Sequence, residues 1–566
     1  MRKSSIRLYG PFLAVALVQA LFIAVAPSKA PDRSAVSSAL GPIGASQGTD
    51  GAYVDPETGQ LIDSETGLAV DPETGRLIGG TGGTGGTGGT GGVGGTGGTG
   101  GVVGDTSHCK NGKQFEILLL NPPCVAKWVG DNGGSSHQGV TKDELKIVIF
   151  SAEANAAVNA VLAPQGLAAT DEELDAMYAA LMKFSRHYEL YGRKINLIRY
   201  TGNCPTSPPD VPACKEAARE VIKMKPFLVV WGTPLYGEVF DEWARAGIPS
   251  IGGWHFDETY FTQRRPYRYD IFMDGTRTAR LVGEYYCKKM AGKPASHAGT
   301  VIHPSFPPPG GRSTPRKVGI ITPAIDANTR VMKYLAGIIE GCDPGKKVTQ
   351  ITYESDIERA AEQTEATTTK LIREQVTTVI CLCDPIAPAF GTAGYSQQQY
   401  YPEHLLSGSG LLDYDALGRL YAADQWEHAF GPSHLSEPIP FGQTDASRVW
   451  RDAGNSGEPC KSCNLTTGYF VFLLSVLQGA GPQPTPLTIE QAVLNSVPQG
   501  GFPGTSLIKF GPGDYTAISD AREVYWDGKA ISKIDGKAGA YVSLNNAKRY
   551  EIGGWTSDMQ IPVKPK

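Results

Sequence analysis

Pro226-Phe227-Leu228-Val229-Val230-Trp231-Gly232-Thr233-Pro234-Leu235 is a short apolar run rich in β-branched and aromatic residues, stopped by Gly-Thr-Pro. It follows a helix-like segment over 214–225, so it reads as a buried parallel strand delivered by a crossover helix. Ligands of open α/β sheets bind just beyond the carboxyl ends of the strands, which puts Gly232, Thr233 and Pro234 where a ligand would be met. Similar units on both sides of this strand imply a sheet on each side of a cleft.

Working outward, strands and helices alternate. Strands are expected over 145–150, 195–200, 227–231 and 248–251, with helices over 171–191, 211–224 and 237–246 between them. Thr170 stands at the N-cap position of the first of these helices. Strict alternation implies right-handed crossovers and a parallel sheet. A strand over 269–273 and a helix over 276–290 complete this first unit, and the Pro- and Gly-rich stretch 297–314 is a connector. The alternation then restarts, with strands over 318–321, 348–353, 378–383 and 420–423 and helices over 329–341 and 357–374. The apolar stretch 465–478 is too short to span a membrane comfortably and reads as a buried helix. Strands with turns close the chain around Val524 and Tyr541.

Before this region lie segments of a different kind. Arg2, Lys3 and Arg7 precede an apolar core over 12–26 and a small-residue stretch Ser28-Lys29-Ala30, the order of an export signal or an uncleaved N-terminal anchor. Asp55, Asp63 and Asp71 each open a copy of Asp-x-Glu-Thr-Gly, and residues 79–104 run as Gly-Gly-Thr triplets. Such a tract cannot offset its ordering entropy by burial and behaves as a flexible stalk. The division expected is therefore a signal or anchor over 1–30, a disordered spacer over 31–104, a Cys-containing lead-in over 105–140, a first lobe over 141–295, a second-lobe core over 296–440, and lobe-completing helices and strands over 441–566.

With 52 Lys and Arg against 57 Asp and Glu, the net charge of -5 leaves no basic surplus, which argues against a nucleic-acid partner. The ten cysteines suit an oxidising compartment. Cys109 with Cys124, Cys204 with Cys214 and Cys460 with Cys463 are close enough in sequence to close small loops, with Cys287, Cys342, Cys381 and Cys383 left over and the pairing open. Zinc held by Cys381, Cys383, Cys460 and Cys463 is the rival reading, and the export signal argues against it. No cofactor is expected. Nor is catalysis: the serines of Ser407-Gly408-Ser409-Gly410 sit in no Gly-x-Ser-x-Gly elbow, no His-Glu-x-x-His helix is present, and Gly341 to Lys347 lacks the spacing of a phosphate loop.

Two successive α/β units behind an export signal, with strand ends at Phe150-Ser151, Trp231-Gly232-Thr233, Gly252-Gly253-Trp254, Thr322-Pro323, Cys383-Asp384 and Ala423-Asp424 and a terminal hairpin, resemble the type I periplasmic solute-binding proteins. The nearest branch is the leucine/isoleucine/valine-binding group of ABC transporters, and the resemblance runs from about Leu145 to the C-terminus. It implies a bilobed, hinged protein that closes on a small solute and presents it to an ABC permease. In that family the first lobe grips an amino-acid carboxylate with hydroxyls and amides after its third and fourth strands, where this chain has Thr233 and Pro234, then Gly253, Trp254 and His255. The second lobe offers an acid to the ammonium group, and Asp384 and Asp424 stand at the matching strand ends. Pro234-Leu235-Tyr236 replaces the expected serine run, and Trp254-His255 replaces a small residue and a threonine, so the pattern departs from that of a simple branched-chain amino-acid site. Trp254 and Trp426 present aromatic faces for an apolar ligand; Glu153 and Asn155 are within reach of the cleft, but a solvated loop is the reading preferred for them. A tethered sensory or adhesion receptor on the same fold is the alternative that the repeats and stalk suggest. The hinge crossings are expected after Lys293 and between Leu412 and Pro440.

Overall fold

The computed structural model describes residues 104–231, 236–253, 256–308 and 310–557, together with three short strands nearer the N-terminus. These are β1 (Ala52–Val54), β2 (Leu61–Asp63) and β3 (Ala69–Val70), an antiparallel sheet in which Ala52 faces Asp63 and Leu61 faces Val70. Two apolar pairs of the Asp-x-Glu-Thr-Gly repeat are thus strands, where the sequence reading expected a disordered spacer. The strand pairs Leu61-Ile62 and Ala69-Val70 each follow a copy of Asp-x-Glu-Thr-Gly in the sequence. The signal segment and the Gly-Gly-Thr tract lie outside the described residues.

Residues 101–566 form one compact unit. Its first lobe is built on β4 (Glu144–Ala152), α1 (Ala156–Leu162), α2 (Asp171–Phe184), β5 (Lys194–Gly202), α3 (Val211–Lys223), β6 (Leu228–Trp231), α4 (Gly237–Arg245), β7 (Ser250–Ile251), α5 (Glu258–Thr262) and β8 (Arg268–Tyr269). The five strands lie in the order β5-β4-β6-β7-β8 and all pair in parallel. Thr170 caps α2 in a reciprocal box, its hydroxyl accepting from Glu173 N at 3.2 Å while the Glu173 carboxylate accepts from Thr170 N at 2.9 Å.

The chain then crosses to the second lobe, earlier than expected. α6 (Gly275–Lys289) buries Ala279, Leu281, Val282, Tyr285 and Tyr286 in the second core, so it belongs to that lobe and not to the first. The stretch after Lys293, where a hinge was expected, folds against the second lobe through Ala295, Ala298, Ile302 and Phe306. β9 (Val318–Pro323), α7 (Asp326–Cys342), β10 (Thr349–Tyr353), α8 (Ala360–Arg373), β11 (Thr378–Cys381), α9 (Ala387–Gln397), β12 (Glu403–Leu405), α10 (Asp415–Gly418), α11 (Ala423–Trp426) and β13 (Ala429–Ser433) follow.

From Ser433 the chain returns to the first lobe, where α12 (Asp445–Asp452), α13 (Cys463–Gly479) and α14 (Pro486–Leu494) pack into its core. The apolar stretch around 465–478 is therefore a buried helix, as its length implied, and no helix among the described residues is long and apolar enough to cross a membrane. A third crossing delivers β14 (Asp520–Ile531), β15 (Ala538–Ser543) and β16 (Arg549–Glu551) to the second sheet. That sheet runs β10-β9-β11-β12-β13-β14-β15, with β16 also on β14; its first five strands are parallel and the last three antiparallel. The fold is two parallel-sheet lobes flanked by helices and joined by three crossings.

Two of the crossings are bonded to each other. Asp270 N donates to Tyr515 O at 3.1 Å, and Ala517 N donates to Asp270 O at 3.0 Å. All ten cysteines are paired: Cys109–Cys124, Cys204–Cys214, Cys287–Cys342, Cys381–Cys383 and Cys460–Cys463. The four sulfurs considered for zinc are thus committed to disulfides.

Candidate functional site

The carboxyl ends of both sheets open onto one cavity of about 1630 Å³. Ser151, Ala152, Glu153 and Asn155 reach it from the end of β4, Thr201 from β5, and Thr206 and Ser207 from the loop before α3. Tyr353 comes from the end of β10, and Cys381, Cys383 and Asp384 from β11. Leu465, Phe472, Phe502 and Phe510 supply a third, largely apolar side, from chain that follows the second crossing.

The polar groups on this lining are tied into the loops that carry them. Asn155 caps α1, its Oδ1 accepting from Ala157 N at 2.9 Å and Val158 N at 3.1 Å, while its Nδ2 donates to Ser207 O at 2.9 Å. Ser207 Oγ in turn accepts from Ile357 N at 2.7 Å, a hydrogen bond that spans from the first lobe to the second. Asp384 Oδ1 accepts from Ile386 N at 2.9 Å and Ala387 N at 3.0 Å and so holds the turn that leads into α9, while Tyr353 donates its hydroxyl proton to Asp384 Oδ2. Burial, reinforced by the Asp384 carboxylate, pushes the Tyr353 phenol far above its ordinary range, so the donor stays protonated. Arg330 of α7 binds Asp257, the N-cap of α5, at 2.6 Å, a second bridge between the lobes.

The charge balance of the lining is acidic. Glu153, Asp356, Asp384 and Asp445 reach it without a salt bridge among the described residues. The two basic side chains present are engaged: Arg199 with Asp171 and Asp175, and Lys461 with Asp535. Burial holds the Asp445 carboxyl above the usual carboxylate range. Among the described residues, no group of three or more His, Cys, Asp or Glu is placed to hold a metal ion.

Of the residues singled out from sequence, Asp384 lines the cavity, as do Glu153, Asn155 and Trp426. Thr233, Pro234, Trp254 and His255 lie outside the described residues. Gly253 does not line the cavity. Its φ is +82°, and a Cβ there would stand 2.7 Å from the Phe240 ring and 2.8 Å from the Arg268 guanidinium, so it is a glycine required by packing. Asp424 is a correction of another kind: residues 420–423 are not a strand, and Asp424 sits exposed in the first turn of α11, accepting from Ser396 Oγ at 2.9 Å. The sequence reading missed the contribution of α1 and the loop after it, whose Leu162 and Leu167 reach across to pack on the second lobe's Leu412 and Trp426 cluster. The signal was present in Ala156-Ala157-Val158-Asn159-Ala160-Val161-Leu162, an apolar run straight after the first strand.

These geometries define a class: two α/β lobes, three crossings and a ligand-sized cavity at the carboxyl ends of both sheets are the type I periplasmic-binding-protein fold. No protein-family model matches the chain, and no curated protein matches it. Solved structures do. An ABC transporter substrate-binding protein from Aeropyrum pernix aligns with a TM-score of 0.50 at 11% identity, over 72% of this chain and 96% of its own. A solute-binding protein from Rhodopseudomonas palustris, in complex with 3,4-dihydroxybenzoic acid, aligns at 0.50 and 11% over 72% and 98%. A fatty acid ABC transporter substrate-binding protein from Thermomonospora curvata aligns at 0.50 and 16% over 76% and 98%. At such identities the likeness concerns the fold, and the fold is the one that the sequence resemblance implied.

Proposed function

We propose that this chain is an extracytoplasmic solute-binding protein that closes its lobes on a small, largely apolar molecule and delivers it to an ABC permease. The observation that carries the reading is the cavity at the carboxyl ends of both sheets, with lining from each lobe and a hydrogen bond, Ile357 to Ser207, already spanning between them. Contacts that differ between open and closed states drive such closure. Asp384, Tyr353 and Asn155 are the polar contacts proposed for the ligand, together with the strand-end loops bearing Thr233, Pro234, Trp254 and His255. Gly253 and Asp424 leave the set. The reading includes no catalytic step: the Ser–His hydrogen bonds of Ser296 with His297 and of His303 with Ser305 involve residues away from the cavity lining.

Export is supported by the basic and apolar N-terminal segment and by five disulfides, which suit an oxidising compartment. The strands of the repeat and the Gly-Gly-Thr tract favour a second reading, a tethered surface receptor that senses its ligand without a permease. A thermal-shift screen of the exported chain against fatty alcohols and acids, aromatic acids, sterols and amino acids tests ligand binding. A solute at a hundred times its Kd stabilises the folded state by about 2.7 kcal/mol. A folded protein that no solute class stabilises would overturn solute binding. Co-purification of a permease with the tethered chain separates transport from sensing.

A further inference from the structure

The cavity does not end at the cleft. At about 1630 Å³ it exceeds the range of about 300–1,000 Å³ usual for small-molecule sites. Part of the excess lies inside the second lobe. Tyr395, His404 and Trp426 line it, yet they are only 4%, 5% and 3% exposed. They form a row of rings beside α9, with Tyr395 and His404 stacked at 6.0 Å and Trp426 tilted against His404 at 5.3 Å. Burial drives the His404 imidazole down to about 3, so this inner space holds no cation at neutral pH. Its roof is α9, where the small residues Ala387, Gly391 and Thr392 line the cavity beside Pro388, Phe390 and Tyr395.

Gly391 controls that roof. A Cβ built there meets only the Tyr395 ring, at 3.8 Å from its hydroxyl oxygen, and is otherwise open. The Tyr395 hydroxyl makes no hydrogen bond to any described residue, although the residue is more than nine-tenths buried, and burial alone raises its phenol far above the ordinary range. The open glycine borders an apolar space continuous with the cleft, room that a ligand's carbon chain would fill.

We propose that the space under α9 is a tail chamber, that the ligand is an elongated amphiphile with an apolar chain rather than a compact amino acid, and that Gly391 sets the chain length accepted. This rests on the solute-binding reading and narrows its ligand class. A compact solute would leave the inner space empty; an extended chain fills it.

The test uses the exported chain and straight-chain 1-alkanols of four to twelve carbons, with affinity read by calorimetry. Each methylene taken into the chamber should tighten binding about fourfold, and the gain should continue past eight carbons. Gly391→Leu projects an isobutyl group into the chamber, and leucine is the better helix former, so the variant should melt no lower than the native chain. It should weaken dodecan-1-ol by at least about tenfold, two methylenes' worth or more, and leave butan-1-ol unchanged. A plateau in the native series at four to six carbons overturns the chamber without any variant. So does a folded Gly391→Leu that binds dodecan-1-ol as the native chain does. Tight binding of an amino acid or benzoate with no alkanol binding overturns the chamber while leaving the solute-binding reading intact; failure of every solute class overturns both.

Discussion

Asp270 stands where the first and third crossings are bonded together, and it is an ionisable group in a dry place. It is 1% exposed. Its Oδ1 accepts from Phe272 N at 3.0 Å and from the Tyr469 hydroxyl at 3.2 Å, while Oδ2 has no partner. Burial raises the carboxyl from an ordinary 3.8 to about 6, against the pull of those donors and of Arg268. A carboxyl whose folded value lies above its unfolded value holds its proton more tightly in the folded state. Its contribution to stability is therefore fully present below about pH 4 and is lost as the pH rises to about 6. The difference between 3.8 and 6 corresponds to about 3 kcal/mol, undiluted by solvent because the group is buried. Asp270→Asn keeps the shape and an acceptor oxygen but removes the titration. Urea unfolding of both proteins at steps from pH 4 to pH 7 should show the native chain losing stability relative to the variant across this window, by about 3 kcal/mol in total. A difference that stays flat to within about 0.5 kcal/mol, the usual error of additivity, would refute the assignment of a strained carboxyl to this crossing.

Further outcomes follow from the same coordinates. The Cys287–Cys342 disulfide ties α6 to α7 across a sequence separation of 55, and replacing both cysteines by serine should cost about 4 kcal/mol in chemical denaturation on the chain-entropy account; a loss under about 1 kcal/mol would contradict it. Asp384→Ala removes the acceptor for Ile386 N and Ala387 N in the turn before α9 and should cost about 1 kcal/mol, whereas Asp384→Asn retains an acceptor oxygen and should stay within about 0.5 kcal/mol; equal losses in thermal melts would deny that role to the side-chain oxygen. Because unpaired carboxylates line the cleft and its two cations are engaged, decanoate at pH 7.5 should bind at least about tenfold more weakly than decan-1-ol, with the gap narrowing as the fatty acid protonates. Equal or tighter binding of the acid in calorimetry would show that the cleft supplies a cation.

The elements legible in sequence are those whose pattern is local. The run Leu228-Val229-Val230-Trp231, the α2 capping box at Thr170 and Glu173, and the strand Val318–Pro323 announce themselves through apolar runs and turn residues. β12 and β13 do not. β12 is Glu403-His404-Leu405, whose buried Glu403 is bound by Arg316 at 2.9 Å and accepts from the Thr378 hydroxyl at 2.7 Å and from His297 N at 2.9 Å, partners that are distant in sequence. β13 carries Gly431 and Pro432 and survives as a strand because β12 and β14 flank it. Placing the strand at 420–423 instead moved Asp424 to a strand end that does not exist. The cavity was legible in part for the same reason: Glu153, Asn155 and Asp384 follow strands, but the wall of Leu465, Phe472, Phe502 and Phe510 arrives by a crossing that no local pattern encodes. The helix α6 reads equally well in either lobe until its partner α7 is known.

That threading has a consequence for how the molecule is made. The five strands of the first lobe are complete by Tyr269, but α12, α13 and α14, which bury Val449, Leu473 and Ile489 in its core, are synthesised only after the whole parallel part of the second sheet. The second lobe waits too, since β14 and its partners come last. Neither half can finish while the chain is still emerging, so the polypeptide stays uncommitted until its final quarter is available. Both lobes therefore close together at the end of synthesis, when α12, α13 and α14 reach the first core and the strands from Asp520 onward reach the second sheet.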